Sequence, residues 1–295
     1  MKEVQARRGR FEKIAVSLII VAIALAAGYL LAGYVVPTPK IGVIDIVTTV
    51  DGNLAELTAR EIDYARHARD IKGVVLNINS PGGSASAGHD IYYQVRALRE
   101  AKPVVASVDS LAASAAYQIA VGANEIYGKP ASLIGNVGVI FSQPSPETLS
   151  ERFITTGPFK STGGSATSYL QKLDLLYMDF RDSVMAERSA APNPIKLSPN
   201  QLATGEIWVG LEAKQLGIMD ELGSKLDAID RAAQMAKLKN YQVVDVRDEY
   251  LDSLQVGRLA TAVELYEQLD EQVEFDLSTR ETEWPSFYQI YVPLE

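Results

Sequence analysis

The sequence predicts an α/β fold with a largely parallel sheet, preceded by one N-terminal membrane-spanning helix. Three observations carry this. From Lys40 onward, short β-branched runs alternate with stretches of helical spacing. Hydrophobic residues make up 47% of the 295 positions, enough for a substantial core. Ahead of both, Ile14 to Val36 is a run of 23 residues without a charge.

As a helix that run extends about 35 Å at about 1.5 Å per residue, enough to cross a hydrocarbon core of about 30 Å. Residues 1–13 hold five bases against two acids, a cytoplasmic basic segment that keeps the N-terminus inside and sends the body out. The competing reading is a cleavable signal peptide, because Ala24-Leu25-Ala26 has the small-x-small pattern. Ten further apolar residues beyond Ala26 favour a retained anchor over 14–36. Residues 37–40 form a short stiff linker.

The body, residues 41–240, follows in order. Ile41–Val47 is a strand, and Asn53–Arg69 a helix with Leu54, Leu57, Ile62, Ala65 and Ala68 on one stripe. Gly73–Ile78 is a second strand, followed by the sharp loop Asn79–Ser84. Ala87–Ala101 is helical, Val104–Val108 is the third strand, and a helix begins beside Ser114. Glu125–Tyr127 and Ile134–Phe141 are further strands. Pro144–Phe153 is a helix capped by Ser145, and residues 154–164 form a loop. Leu170–Arg188 is a long helix, Ala190–Asn200 a Pro-rich connector, Gln201–Gly223 two short turns around Trp208, and Ser224–Leu238 an amphipathic helix. Residues 241–295 form an acidic extension with thirteen acids and three bases. Within it Val256, Leu259, Val263, Tyr266, Leu269 and Val273 recur at helical spacing, on the domain itself or on a neighbouring subunit. The aromatic cluster Trp284-Pro285-Ser286-Phe287-Tyr288 is expected to dock rather than hang free.

Charge and composition exclude several classes. The net charge is −9, with +3 in residues 1–13, so the rest carries −12 and is no nucleic-acid binder. Cysteine is absent, which removes disulfides and thiolate zinc sites. Two isolated histidines give no metal-ligand spacing, and no dinucleotide or P-loop fingerprint is present. No metal or cofactor is expected.

The chemistry centres on Asp109-Ser110-Leu111-Ala112-Ala113-Ser114-Ala115-Ala116-Tyr117. A serine at a strand-to-helix turn, walled by alanines, is placed like a nucleophile, and the free N–H groups of the helix start suit an oxyanion. The plain alternative is an N-cap serine. Gly82-Gly83 lets backbone approach a ligand closely, and loops after successive parallel strands open on the same sheet edge. A nucleophilic serine needs a base. His67 and His89 both precede Ser114 and lie on helices, leaving a Ser-His-Asp triad as the rival to a Ser-Lys pair. Lys160 follows Pro158-Phe159 with no acid beside it. A lysine becomes a base only when desolvation favours its neutral amine.

The motifs NSPGGS (79–84), DSLAASAAY (109–117), GPFK (157–160) and IWVGLEAKQLGIMDELG (207–223), in this order, resemble the signal peptide peptidase A family over about Ile41 to Leu238. That resemblance implies a Clp-protease/crotonase-like fold, a repeated β-β-α spiral. It also implies a membrane-anchored serine endopeptidase with Ser114 as nucleophile and Lys160 as general base. The oxyanion hole it implies uses N–H groups of Gly82, Gly83 and Ala115. It further implies homo-oligomeric rings, peptide substrates such as remnant signal peptides, and a single-pass chain with its catalytic domain outside the cytoplasm. The family usually carries Gly-Gly after the nucleophile. Here Ala115-Ala116 stands there, and the extra methyls are expected to narrow the cleft. Three alternatives remain open: a protease specific for a stomatin-type membrane scaffold, a crotonase-type acyl-CoA enzyme, and an inactive scaffold.

Overall fold

The computed structural model describes residues 16–26, 38–142, 156–160 and 162–254, and the backbone of 287–290. The chain divides into two units, Met1–Pro39 and Lys40–Glu295. In the first, residues 16–26 form helix α1, whose side chains are exposed. The span expected over 14–36 is described only across that stretch. No helix among the described residues is long and apolar enough to cross a membrane. The helix expected over 144–153, the apolar stripe of 256–273 and residues 284–286 lie outside the described residues.

The second unit is a mixed α/β domain. It opens with β1 (Lys40–Ile46), α2 (Gly52–His67), β2 (Ile71–Ser80), β3 (Gly82–Ser84), α3 (Ala85–Ala101), β4 (Val104–Ala113) and α4 (Ala115–Val121). Then come β5 (Glu125–Gly128), β6 (Leu133–Gly135), β7 (Ile140–Phe141), α5 (Ala166–Ser189), α6 (Pro199–Leu202), β8 (Ile207–Val209) and α7 (Gly210–Leu216). It closes with β9 (Glu221–Leu222), α8 (Lys225–Met235), β10 (Gln242–Asp245), α9 (Val246–Ser253) and β11 (Phe287–Ile290).

The main sheet runs β10-β1-β2-β4-β5-β9, all parallel; β6 extends it from the far half of β4, and β8 pairs antiparallel with β6. Strands buried on both faces explain why the apolar runs are nearly continuous rather than alternating. The pleat still sorts them. Val74, Leu76, Ile78, Val104, Ala106 and Val108 join the core that includes α2, α3 and α4. Val75 and Val105 turn to the other face, against Ala228, Ile229 and Ala232 of α8. Two of these helices, α2 and α3, begin on side-chain caps: Asp51 Oδ1 accepts from Leu54 N at 2.8 Å, and Ser84 caps α3.

Three differences from the sequence reading matter. The loop expected at 79–84 contains a strand, β3. Strand β4 runs five residues past Val108, to Ala113, because its second half finds a new partner in β6. The first residues of the acidic segment belong to the sheet: β10 pairs with β1, and Val246 behind it is fully buried. A second sheet, β3-β11-β7, places the backbone of residues 287–290 antiparallel to both neighbours.

Candidate active site

Ser114 sits between the end of β4 and the start of α4 with φ 57° and ψ −124°. That region is costly for a residue with a Cβ and persists only where the surroundings enforce it. They do so here. Ser114 N donates to Gly135 O at 2.9 Å, and Ser114 O accepts from Gln118 N at 3.0 Å. Strand β6 thus holds one side of the turn and the first helical bond holds the other. The Oγ caps nothing: it is buried and has no hydrogen-bond partner. The N-cap alternative therefore fails on geometry, and the strained turn leaves a hydroxyl presented but unspent.

Gly135 has its own constraint. A Cβ there would lie 2.6 Å from the Trp208 ring, and Ile134 pairs with Trp208 across β6 and β8. The Trp208 segment therefore backs the turn that carries Ser114.

The glycine pair lies on β3, and its two amides differ. Gly82 N donates to Ser80 Oγ at 3.2 Å, and that hydroxyl donates to Thr48 O at 2.5 Å. Gly82 O accepts from Val50 N, and Ser84 N donates to Val50 O. This parallel bridge directs the N–H and C=O of Gly83 to the opposite side, where β11 pairs Gln289 with Gly83. Of the expected pair, then, Gly82 N–H is held by Ser80, and the backbone of Gly83 faces β11. Only glycine fits at 83, since a Cβ would lie 2.1 Å from Val50 O.

Ala115 is the first residue of α4, where N–H groups lack intrahelical acceptors. Its methyl does not narrow a cleft. Ala115 and Ala116 are fully buried, and a Cβ at Gly88 would meet the Ala115 Cβ at 2.9 Å. The methyl points into the packing between α3 and α4, in space that Gly88 leaves open.

Neither histidine serves Ser114. His89 Nδ1 lies 2.8 Å from Ala85 O, and its Nε2 lies 2.6 Å from Asp179 Oδ2 and 3.1 Å from Gln118 Nε2. Both ring nitrogens are engaged, and the contacts join α3, α4 and α5. His67 is exposed, with Nδ1 on Asp63 O.

Lys160 ends the turn 156–160, where it and Phe159 are exposed. No hydrogen bond joins its amine to Ser114, whose hydroxyl has no partner. Sequence reasoning singled out Ser114, Lys160, Gly82, Gly83 and Ala115. It missed Ser80, Gly88 and Gly135 as the residues that hold Gly82, Ala115 and Ser114, although Ser80 lies inside the NSPGGS motif.

The peptidase family S49 model matches residues 96–239, and the Clp protease model matches residues 39–145. Protease 4 of Salmonella typhi is 32% identical over 213 residues, covering 67% of this chain and 34% of its own. The chloroplastic serine protease SPPA of Arabidopsis thaliana is 28% identical, covering 63% of this chain and 29% of its own. Protease 4 of Haemophilus influenzae is 28% identical, covering 77% and 40%. The chain therefore spans between 29% and 40% of these relatives' length. Among solved structures, ClpP1 of Listeria monocytogenes aligns with TM-score 0.46 at 17% identity, covering 63% of this chain and 94% of its own.

Proposed function

Because the chain belongs to the signal peptide peptidase A family, we propose that it is a serine endopeptidase with Ser114 as nucleophile and Lys160 as general base. The observation that carries this is the strained Ser114 turn with its buried, unbonded hydroxyl. A crotonase-type enzyme or a scaffold has no need to store strain at a serine.

In the proposed reaction the Ser114 proton passes to the Lys160 amine as Oγ bonds the scissile carbonyl carbon. The carbonyl oxygen takes up the negative charge beside the N–H groups of Gly83 and Ala115. Collapse breaks the C–N bond, and the leaving amine takes the proton from Lys160. Water, deprotonated by the same lysine, then releases the acyl group from Oγ.

The pairing of β11 with β3 supports a polypeptide substrate. A strand laid antiparallel on Gly82–Ser84 meets the presented backbone groups of Gly83, the β-augmentation mode of peptide recognition. The exposure of Lys160 supports completion of the pair by close approach of a second copy, in a homo-oligomer. The apolar run 14–36 supports a membrane anchor with the N-terminus in the cytoplasm. Substrates beside a bilayer, such as remnant signal peptides, fit that arrangement.

The test is fluorophosphonate labelling and peptide hydrolysis by the full-length protein in detergent. Ser114→Ala is expected to remove both, and Lys160→Ala to remove turnover. Full hydrolysis by either variant overturns the assignment.

A further inference from the structure

One corner of the domain carries a charge opposite to that of the chain. A cavity of about 400 Å³ is lined by Arg66, His67, Arg69, Lys72 and Lys102, with no Asp or Glu in its lining. Nine arginines lie among the described residues. Seven pair with carboxylates, and the two without such a partner are Arg66 and Arg69. Lys72 also has no ion pair among the described residues, and all three of these side chains are exposed.

Two of the acids nearby in sequence are already engaged, and Glu100, next to the lining residue Ala101, is exposed with no ion pair among the described residues. Asp70 faces Lys40 at 3.0 Å, and Asp63 faces His67 at 3.3 Å. The end of α2 attracts cations through its dipole, which accounts for Arg66 and His67. Arg69 and Lys72 lie beyond that helix. Lys102 donates to Ala68 O at 2.6 Å and to Ala65 O, closing the helix end from the side. Burial and then the neighbouring Lys72 pull its ammonium down to about 8, a repulsion that a bound anion relieves.

The corner also lies where the chain enters the domain. Lys40, the first residue of β1, stands in register with Ile71, which belongs to the cavity lining. Only Pro37-Thr38-Pro39 separates Lys40 from Val36, the last apolar residue of the long run.

We propose that this basic corner binds the phosphate of anionic phospholipid headgroups and so sets how the domain stands on the bilayer. The proposal rests on the reading of residues 14–36 as an anchor, and the experiment separates the two. The full-length chain has no native cysteine, so Ala101→Cys in the cavity lining gives a unique site for a fluorophore. The labelled protein is mixed with phosphatidylcholine vesicles, with or without phosphatidylglycerol, both carrying a headgroup spin label. Flotation reports anchoring, and quenching at position 101 reports headgroup contact.

The expected result is flotation with both compositions and quenching only with phosphatidylglycerol. Contact should weaken about fivefold for each of Arg66→Gln, Arg69→Gln and Lys72→Gln, since each basic residue at an anionic surface contributes about 1 kcal/mol. Flotation with both but equal quenching, or quenching unmoved by the triple variant, overturns the corner and leaves the anchor standing. Flotation only with phosphatidylglycerol, lost in the triple variant, removes the anchor and keeps the corner. Flotation with neither overturns both. Release by inorganic phosphate, where chloride of equal ionic strength has no effect, assigns the corner to free phosphate and overturns the lipid proposal.

Discussion

Ser114 and Lys160 sit in opposite kinds of structure. The serine lies at the end of the ten-residue strand β4, fully buried and gripped through its backbone by β6 and α4. The lysine lies at the end of a short surface turn with its side chain exposed. One half of the proposed catalytic pair is built by the fold of a single chain. The other is presented at the surface, and what desolvates it has to come from outside its own turn.

Breaking the comparison at its two poles gives the largest expected effects. Ser114→Ala or Lys160→Ala is expected to lower peptide hydrolysis by up to about 10⁶-fold, as for other members of a nucleophile–base unit. Melting temperature should stay unchanged for Lys160→Ala and rise for Ser114→Ala if the buried, unbonded hydroxyl is costly. Equal loss of folding in both variants would reject the contrast.

The next effect concerns the helix that follows the lysine turn. At its far end Arg188 is buried, with Nη1 and Nη2 at 2.8 and 2.9 Å from the Asp220 carboxylate and Nε at 2.9 Å from Gly217 O. Arg188→Ala strands a buried charge and should cost about 3–5 kcal/mol in denaturant unfolding. A loss below about 1 kcal/mol would mean that α5 is not locked at that end.

Gly83→Ala forces a Cβ to within 2.1 Å of Val50 O and displaces β3. The predicted loss is about 10²–10³-fold in kcat, the usual effect of removing one oxyanion donor. Gly82→Ala, at a residue whose amide is already spent on Ser80, should act through backbone strain at φ 94° instead, and so lower stability as well as rate.

The smallest effect sharpens the packing around the serine. Ala115→Gly should leave peptide selectivity unchanged and cost about 1 kcal/mol of stability. Gly88→Ala alone collides with the Ala115 methyl and should depress both stability and rate. The double exchange, with glycine at 115 and alanine at 88, should recover most of that loss. An additive double variant would show that the two residues do not share one space.

These contrasts also mark what could be read from the chain alone. Strand–helix alternation was legible because each apolar run has one dominant period. Ser114 was legible because a lone polar residue interrupts a wall of alanines. The extension of β4 to Ala113 was not, since its second half is a strand only by virtue of pairing with β6. β10 was hidden inside an acidic segment, where the local charge outweighed the short run Gln242–Asp245. The division of labour between Gly82 and Gly83 depends on Val50 and Ser80, contacts that no spacing rule contains. The role of Gly88 depends on the approach of another helix.

The Ser114 N–H to Gly135 O bond has a consequence for how the protein fails. The unusual backbone of the serine has one local support, the helical bond from Gln118 N, and one distant support. The latter is a strand that itself leans on Trp208, more than seventy positions later in the chain. The serine cannot relax by itself while the sheet persists, so loss of reactivity toward a covalent serine probe on heating should coincide with global melting.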